Sequence, residues 1–294
     1  MKEKKTATGP APKGKAAARP LAPQRVVGVI GAGNMAGALV KGWIACGVYT
    51  PEQIWVSDVD REKLAQFKRR FKVGVATDNA ELAAGSKIVV LAVKPQIIDA
   101  VISQTRPGGT EGKLFISIAA GVPTLRIEAG LGNEARVLRA MPNTPALLGQ
   151  GMSVLVRGRY ATPVDERLGL KLLGAVGQAV TVQDERMLDA VTGLSGSGPA
   201  YVYLMVEGLI TGGVHAGLPR PLAVQLVLQT LRGAATMLQE TGETPEALRA
   251  QVTSPGGTTL AGLSELERRG FKDALAAAVV AATRRSAELG RGGR

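Results

Sequence analysis

The sequence predicts an α/β protein in which an N-terminal, doubly wound parallel sheet is followed by an all-helical C-terminal domain. Three observations lead to this prediction. Apolar runs alternate with helical segments up to about residue 183, a glycine-rich turn follows the first run, and long apolar helical segments without a convincing strand make up the rest. A chain of 294 residues, 45% of them hydrophobic, is long enough for two domains that each bury a core.

The first domain is assigned to residues 25–183. Its first apolar run, VVGVI at 26–30, is continuous, which is typical of a strand buried on both faces of a parallel sheet. Helices are predicted from residue 34 to near 47, over 61–71, after Pro123 and around 165–176. The other strands are predicted over residues 54–57, 88–93, 114–118, 137–140, 153–156 and 179–182.

The second domain is assigned to residues 184–294 and is predicted to be helical. Its helices are predicted over residues 200–212, 221–239, 260–267 and 272–288. These segments are rich in Ala, Leu and Val, and they carry more apolar surface than a thin domain can bury by itself. We therefore expect this half to be a dimerisation domain, with a homodimer as the smallest symmetric unit of a homo-oligomer.

Residues 1–24 are expected to form a disordered basic tail. They carry six Lys or Arg residues and one Glu, and so supply +5 of the formal net charge of +12. Because no apolar segment follows the lysines, a secretory signal is disfavoured and a cytoplasmic protein is expected, with an organelle transit peptide as the alternative. Apolar runs reach only about ten residues, and no RNA- or DNA-binding motif is present, so neither a membrane nor a nucleic acid is an expected partner.

The residue inventory excludes several kinds of chemistry. A single cysteine, Cys46, excludes a disulfide framework and cysteine-cluster metal sites. A single histidine, His215, excludes zinc motifs that need two histidines, and no metal site is predicted. Catalysis must therefore depend on glycines, hydroxyls, carboxylates or a bound cofactor.

A glycine motif follows the first predicted strand. In G-x-G-x-x-A at 31–36, Gly31 allows a tight turn, Gly33 allows the backbone to approach a pyrophosphate, and Ala36 keeps the helix close to the sheet. The N–H groups at the start of that helix are free to bind phosphate oxygens. The motif predicts a Rossmann-type dinucleotide site, and the alternative is an ordinary tight turn between a strand and a helix.

The end of the second strand normally carries the residue that contacts the adenosine ribose. Here the residue is Asp58, which would hydrogen-bond ribose hydroxyls and repel a 2′-phosphate, and so favours NADH. Ser57 and Arg61 would favour NADPH, and both cofactors stay open at this stage.

Residues 252–259 form a second candidate anion site. Their glycines expose N–H groups, their hydroxyls add donors, and the helix that follows presents its positive end. The loop therefore predicts a site for a carboxylate, and the alternative is an elaborate helix N-cap.

Five segments of the chain closely resemble the pyrroline-5-carboxylate reductase family over about residues 26–289. They are AVKP at 92–95, SIAAGV at 117–122, RAMPNTP at 139–145, DAVTGLSGSGPAY at 189–201 and VTSPGGTTLAGLSELE at 252–267. The resemblance implies hydride transfer from NADPH, or NADH, to the C=N bond of L-1-pyrroline-5-carboxylate, giving L-proline in the last step of proline biosynthesis. It also implies a helical domain that intertwines with a second subunit.

The resemblance also assigns site residues. The implied cofactor contacts are Ile30, Gly31, Ala32, Gly33, Asn34, Met35, Ser57, Asp58, Asn79, Ala92, Val93, Lys94, Pro95, Ile118, Ala119 and Ala120. The implied substrate contacts are Glu185, Ser254, Gly257, Thr258 and Thr259. Asp58 departs from the family, since many relatives carry a hydroxyl or basic group near the 2′-phosphate. Gln251 stands where some relatives carry Asn.

The predicted chemistry needs no histidine. A basic imine nitrogen can arrive protonated, so catalysis depends mainly on holding the nicotinamide against the imine carbon. We expect the Thr259 hydroxyl, or a water that it holds, to contact the nitrogen. Glu185 is expected to stabilise the iminium charge. The alternative is that its carboxylate interacts with the positive end of a helix dipole.

Two other functions are considered. A 3-hydroxyacid dehydrogenase of the 6-phosphogluconate type shares the domain order and a G-x-x-G-x-G motif, present here at 193–198. Its acid–base lysine is missing, since Val202 stands at that position and the next lysine is Lys272. A non-catalytic dinucleotide sensor would bind the cofactor without turnover and would not need the loop at 252–259.

Overall fold

Strands and helices alternate through the first half of the chain, as the sequence predicts. The computed structural model describes residues 26–132 and 134–290, and the predicted tail at 1–24 lies outside the described residues. The strands are β1 Val27–Ile30, β2 Ile54–Ser57, β3 Gly74–Val75, β4 Ile88–Leu91, β5 Leu114–Ser117, β6 Arg136–Met141, β7 Gly151–Arg157 and β8 Gly177–Thr181. The helices between them are α1 Asn34–Ala45, α2 Arg61–Phe71, α3 Asn79–Gly85, α4 Ile98–Thr105, α5 Thr124–Leu131 and α6 Pro163–Gly174.

The strands described form one sheet with the order β3-β2-β1-β4-β5-β6-β7-β8. The order reverses between β1 and β4, and in an open α/β sheet ligands bind in the crevice beyond the carboxyl ends of the strands at such a reversal. Both faces are covered by helices, and β1 is buried along its whole length. The predicted doubly wound α/β fold is confirmed.

The sheet is mostly parallel, and one strand pair departs from the predicted parallel arrangement. β7 pairs with β6 in the antiparallel direction, and β8 runs parallel to β7. The reason is the short connection between β6 and β7, residues 142–150, which contains only one 3₁₀ turn, Thr144–Leu148. A parallel return needs a crossover of about a dozen residues or more, and residues 142–150 are too few.

In the half of the chain that carries the sheet, three short elements, β3, α3 and α4, have no bounds predicted from the sequence, although a crossover after Pro95 is predicted where α4 lies. The two helices contain 7 and 8 residues, which is too short for a clear helical period. The Asp78 side chain begins α3 by accepting the backbone N–H of Glu81. The helix α3 carries Asn79 at its first position, so its identification bears directly on the predicted cofactor contacts.

After β8 the described chain is helical. Its elements are α7 Met187–Val191, a π-helical turn Thr192–Gly196, α8 Gly198–His215, α9 Arg220–Thr241, α10 Pro245–Gln251, α11 Thr258–Arg268 and α12 Phe271–Gly290. Among described residues from 198 onwards, only Ile210, Ala223 and Ser286 are buried. The change from strands to helices falls between Thr181 and Met187, and the domain boundary at 183/184 stays a prediction.

The last helix returns to the sheet. Gly121, in the loop after β5, has φ 75°, and a Cβ there would lie 2.7 Å from the Ser286 carbonyl oxygen. A Cβ on Gly290 would lie 2.2 Å from the Gly121 carbonyl oxygen. Backbone therefore packs directly on backbone at this point, and α12 ends beside the carboxyl end of β5. Within the described part of the chain, none of the helices has the length and apolar character needed to cross a membrane.

Candidate active site

The glycine motif forms a tight turn whose outer side is open. Gly31 has φ 105°, and a Cβ there would lie 2.4 Å from the Ala92 carbonyl oxygen. Gly33 is the N-cap of α1, and nothing lies within 4 Å of where its Cβ would be. No side chain caps α1, and its first turn contains no acidic residue. The exposed N–H groups can therefore bind an anion such as a pyrophosphate.

Backbone hydrogen bonds align the strand ends at this edge. The Gly31 N–H donates to the Ser57 carbonyl (2.8 Å), and the Ala92 N–H donates to the Ile30 carbonyl (2.8 Å). The Ile118 N–H donates to the Leu91 carbonyl (3.1 Å). The predicted contact segments 30–35, 57–58, 92–95 and 118–120 therefore lie along one edge of the sheet. Their roles as cofactor contacts stay a prediction.

Asp58 makes contacts that the sequence did not predict. One carboxylate oxygen accepts the Ala32 N–H (2.7 Å) and the other accepts the Asp60 N–H (2.8 Å). Asp58 thus joins the glycine turn to the end of β2 and holds both in place. Each oxygen keeps a further lone pair, so a contact with the ribose stays possible beside this structural role.

Asn79 takes part in a row of hydrogen-bonded side chains beside Asp58. The Ser57 hydroxyl donates to Asn79 Oδ1 (2.7 Å), and Asn79 Nδ2 donates to Gln104 Oε1 (2.8 Å). Gln104 was missed because its helix, α4, was missed. The remaining predicted contact, Lys94, is exposed and is the N-cap of the 3₁₀ turn Pro95–Ile97.

The loop between α10 and α11 has the geometry of an anion site. Gly256 has φ 70°, and the Gly257 N–H donates to the Ser254 carbonyl (3.0 Å). Gly257 is the N-cap of α11, which no side chain caps. Ser254 and Thr258 are exposed, and Thr259 is partly exposed. Among the described residues, no hydrogen bond or ion pair joins 245–268 to 26–183. Within a single chain, this loop is therefore not hydrogen-bonded to the glycine turn.

Glu185 lies elsewhere, in a partly buried charge cluster. Its carboxylate accepts the backbone N–H and the hydroxyl of Thr124, the first residue of α5, at 2.7 and 2.8 Å. Arg139 of β6, which is 5% exposed, contacts Glu185 (3.1 Å) and Asp189 (3.5 Å). Asp189 also accepts the Ser286 hydroxyl of α12 (2.8 Å). The Glu185 carboxylate thus caps the N-terminus of α5. Its role towards a substrate stays a prediction.

Arg139 is the main residue of the cluster that the sequence reading missed as a functional candidate. The strand β6 begins with Arg136 and carries a second arginine, Arg139, within its buried apolar run, and that second arginine was the available signal. A buried guanidinium needs anionic partners, and these come from the start of the helical half. The cluster therefore connects β6, α5 and α12.

Glu128 is buried beside this cluster. Its carboxylate accepts the backbone N–H of Arg159 (2.7 Å). Burial raises the pKa of the Glu128 carboxyl above its ordinary 4.5, the hydrogen bond lowers that pKa, and the charge of Glu185 raises it.

Two family models match the chain. The model described as "Pyrroline-5-carboxylate reductase dimerisation" matches residues 185–289. The model described as "NADP oxidoreductase coenzyme F420-dependent" matches residues 26–121. The two matches fall on the helical half and on the half that carries the glycine motif.

Curated relatives and solved structures cover most of the chain. A pyrroline-5-carboxylate reductase from Synechocystis sp. is 46% identical over 90% of this chain and 98% of its own length. The crystal structure of a Plasmodium falciparum pyrroline carboxylate reductase with NADP bound has a TM-score of 0.83 at 33% identity, covering 90% of this chain and 98% of that one. The structure of a pyrroline-5-carboxylate reductase from Coxiella burnetii has a TM-score of 0.83 at 38% identity, with the same coverage.

We predict that Glu128→Gln changes the pH dependence of stability. Above pH 4.5 the unfolded chain has lost the Glu128 proton, whereas the folded chain keeps it up to its raised pKa. The unfolded state then binds fewer protons, so this carboxyl lowers stability as pH rises. Since Gln does not titrate, the unfolding midpoint of the variant should rise relative to the parent as the pH increases from 4.5 towards the raised pKa of the folded-state carboxyl.

The measurement is thermal unfolding at equal protein concentration. Glu111→Gln is the matched control, because Glu111 is exposed in a turn. A midpoint difference for Glu128→Gln that stays constant or falls with pH would contradict the prediction.

Proposed function

We infer that the chain, which belongs to the pyrroline-5-carboxylate reductase family, reduces the C=N bond of L-1-pyrroline-5-carboxylate to give L-proline. The observation that carries this proposal is a pair of helices, α1 and α11, whose N-termini are glycine-rich and capped by no side chain. The first can hold the pyrophosphate of a dinucleotide and the second can hold the carboxylate of a small ring acid.

The residues present fit NADPH. The open side of Gly33 and the uncapped start of α1 leave room and positive potential for the pyrophosphate. The family model matched by residues 26–121 is that of an NADP oxidoreductase, which supports the same cofactor. NADPH, when bound, supplies the hydride. The chain's part is to hold the cofactor along the strand ends, where residues 92–95 and 118–120 lie.

The loop at 252–259 binds the substrate carboxylate and places the Thr259 hydroxyl near the imine nitrogen. The hydride goes to the imine carbon, and the nitrogen, which arrives protonated, keeps its proton and becomes the secondary amine. No strong protein acid is needed, so the reaction depends on orientation and on exclusion of water. Glu185 would stabilise the iminium charge through space, while its hydrogen bonds to Thr124 hold it in place.

The site is completed by a second copy of the chain. Apolar side chains on α8 and α9 are exposed in one chain, among them Leu204 (69%), Leu226 (48%) and Leu228 (53%). An exposed apolar surface of this kind is typical of a surface that another protein shields from water. The helical half also matches a family model described as dimerisation. We place the loop at 252–259 of one subunit against the glycine turn of its partner. A cytoplasmic location stays a prediction.

We predict that the protein oxidises NADPH when L-1-pyrroline-5-carboxylate is added, and that Thr259→Ala lowers kcat about 100-fold by removing the hydroxyl beside the nitrogen. The measurement is the loss of nicotinamide absorbance. Thr110→Ala is the matched control, because Thr110 precedes β5 at the opposite edge of the sheet. A parent protein that does not reduce this imine would overturn the proposed function, and an unchanged kcat for Thr259→Ala would remove Thr259 from the mechanism.

We predict that Asp58→Asn shifts cofactor preference towards NADPH. Removing the negative charge should raise the ratio of NADPH to NADH affinity about fivefold, even if the weaker hold on the glycine turn lowers both affinities. The measurement is fluorescence titration with each cofactor. Asp60→Asn is the control, since the Asp60 side chain caps α2 and does not contact the glycine turn. An equal shift in both variants would assign the effect to net charge and not to Asp58.

We predict that Leu204→Glu combined with Leu226→Glu lowers the molecular mass in solution, because two buried charges at the proposed interface would be unpaired. Light scattering coupled to size-exclusion chromatography measures this mass. Val164→Glu is the control, since Val164 is 63% exposed at the start of α6 in the other half of the chain. An unchanged mass for the double variant would place the interface elsewhere.

A further inference from the structure

The side chain of Asn143 joins two segments that the proposed mechanism leaves without a role. Its Oδ1 accepts the Met152 N–H (2.8 Å), which fixes the orientation of the amide, since a backbone N–H can only donate. Its Nδ2 therefore faces the other way and donates to the carbonyl oxygen (3.2 Å) and the hydroxyl oxygen (3.3 Å) of Ser195. The segment RAMPNTP after β6 thereby holds the segment TGLSGSGP.

A proline explains why the Ser195 carbonyl needs this donor. In an α-helix that carbonyl would accept the N–H of residue 199, but residue 199 is Pro199 and has no N–H. The next N–H, that of Ala200, donates to the Ser197 carbonyl (3.0 Å). The amide of Asn143 supplies the missing donor from outside the helix.

The turn that carries Ser195 is held from two sides. It is a π-helical turn, closed by the Ser197 N–H donating to the Thr192 carbonyl (2.9 Å). A Cβ on Gly196 would lie 2.5 Å from Met141 Cε, and a Cβ on Gly193 would lie 2.4 Å from the Thr283 hydroxyl of α12. Such single turns inside helices are frequent at functional sites.

The Ser195 hydroxyl has a hydrogen left to donate. Its oxygen accepts from Asn143, and within residues 26–132 and 134–290 it donates to no acceptor. The residue lies beside the carboxyl end of β6, at the edge where the strands β1, β4 and β5 meet the glycine turn. In a doubly wound fold the two halves of a dinucleotide bind on either side of the reversal in strand order, here β1 and β4. The side of β4, β5 and β6 is therefore the side for the nicotinamide.

We propose that Ser195, oriented by Asn143, donates a hydrogen bond to the carboxamide oxygen of the nicotinamide and so fixes the face of the ring that meets the imine. This inference rests on the proposed function. We assign the nicotinamide carboxamide, and not the substrate carboxylate, as the acceptor because we propose that the loop at 252–259 binds that carboxylate. Asn143 is a positioning residue that acts through Ser195.

The first experiment separates the nicotinamide end of the cofactor from its adenosine end. The affinities of NADPH and of 2′,5′-ADP, which lacks nicotinamide, are measured by calorimetry for the parent chain and for Ser195→Ala. Loss of one hydrogen bond should weaken NADPH binding about tenfold and leave 2′,5′-ADP unchanged. Ser195→Thr, which keeps the hydroxyl, should restore the affinity. Ser197→Ala is the matched control, because its side chain does not contact Asn143.

The second experiment tests the role of Asn143 by a double-mutant cycle. Asn143→Ala should weaken NADPH binding as Ser195→Ala does, and the double variant should lose little more, because both changes remove the same interaction. In turnover, both single variants should lower kcat with little change in the KM for the imine, and should raise the isotope effect with NADPH deuterated at the transferred position.

The outcomes separate the two proposals. Equal loss of NADPH and 2′,5′-ADP affinity, or no loss of either, would overturn the role of Ser195 even if the parent reduces the imine. A parent that binds NADPH without reducing the imine would overturn the proposed function, while the comparison of the two ligands would still decide the role of Ser195. Additive losses in the double variant would separate Asn143 from Ser195.

Discussion

The carboxyl-terminal edge of the sheet depends on the close approach of two turns, the one after β1 and the one after β4. At Gly31 a Cβ would lie 2.4 Å from the Ala92 carbonyl oxygen, so any side chain there would force the two turns apart. Because Gly33 begins α1 only two residues later, the uncapped N–H groups of that helix would move with the turn. Asp58 holds the same turn from the side of β2 through the Ala32 N–H. The proposed cofactor site is thus fixed by backbone positions, and we expect its side chains to adjust the preference between cofactors.

A buried cation connects this edge to the helical half. Arg139 lies inside β6, and its charge is balanced by Glu185 and Asp189, which belong to the segment just before and within α7. Ser286 adds α12 to the same cluster. Loss of one anion would leave the guanidinium partly unpaired in a buried position, which costs more than the pair itself contributes. The polar cluster therefore fixes how the two halves of a single chain are attached, whereas the exposed apolar faces of α8 and α9 are the surfaces that we propose a second chain covers.

Patterns that repeat within a few residues could be predicted from the sequence, and contacts between distant residues could not. The bounds of β2 and α2 agree with the structure at both ends, because a buried run and a charged amphipathic segment mark them clearly. The antiparallel direction of β7 follows from the short connection at 142–150, which contains a 3₁₀ turn and no crossover helix. The contact of Asp58 with Ala32 spans 26 residues and that of Glu185 with Thr124 spans 61, so each depends on strand register and domain packing that no local pattern contains. The G-x-x-G-x-G motif at 193–198 is visible in the sequence, but its link to Asn143 needed the fold.

The two uncapped helix N-termini differ in their surroundings, and this difference connects assembly to catalysis. The start of α1 lies against the sheet, whereas the loop before α11 is largely exposed in one chain, with Ser254 and Thr258 open to solvent. Water competes strongly for a carboxylate at an exposed loop, and the same N–H groups bind it more tightly once a partner surface lowers the local dielectric. Covering the apolar faces of α8 and α9 would also cover this loop, if the partner's glycine turn lies over it as we propose. Burial of apolar surface between subunits then contributes both stability and a dry site in which the hydride can be transferred.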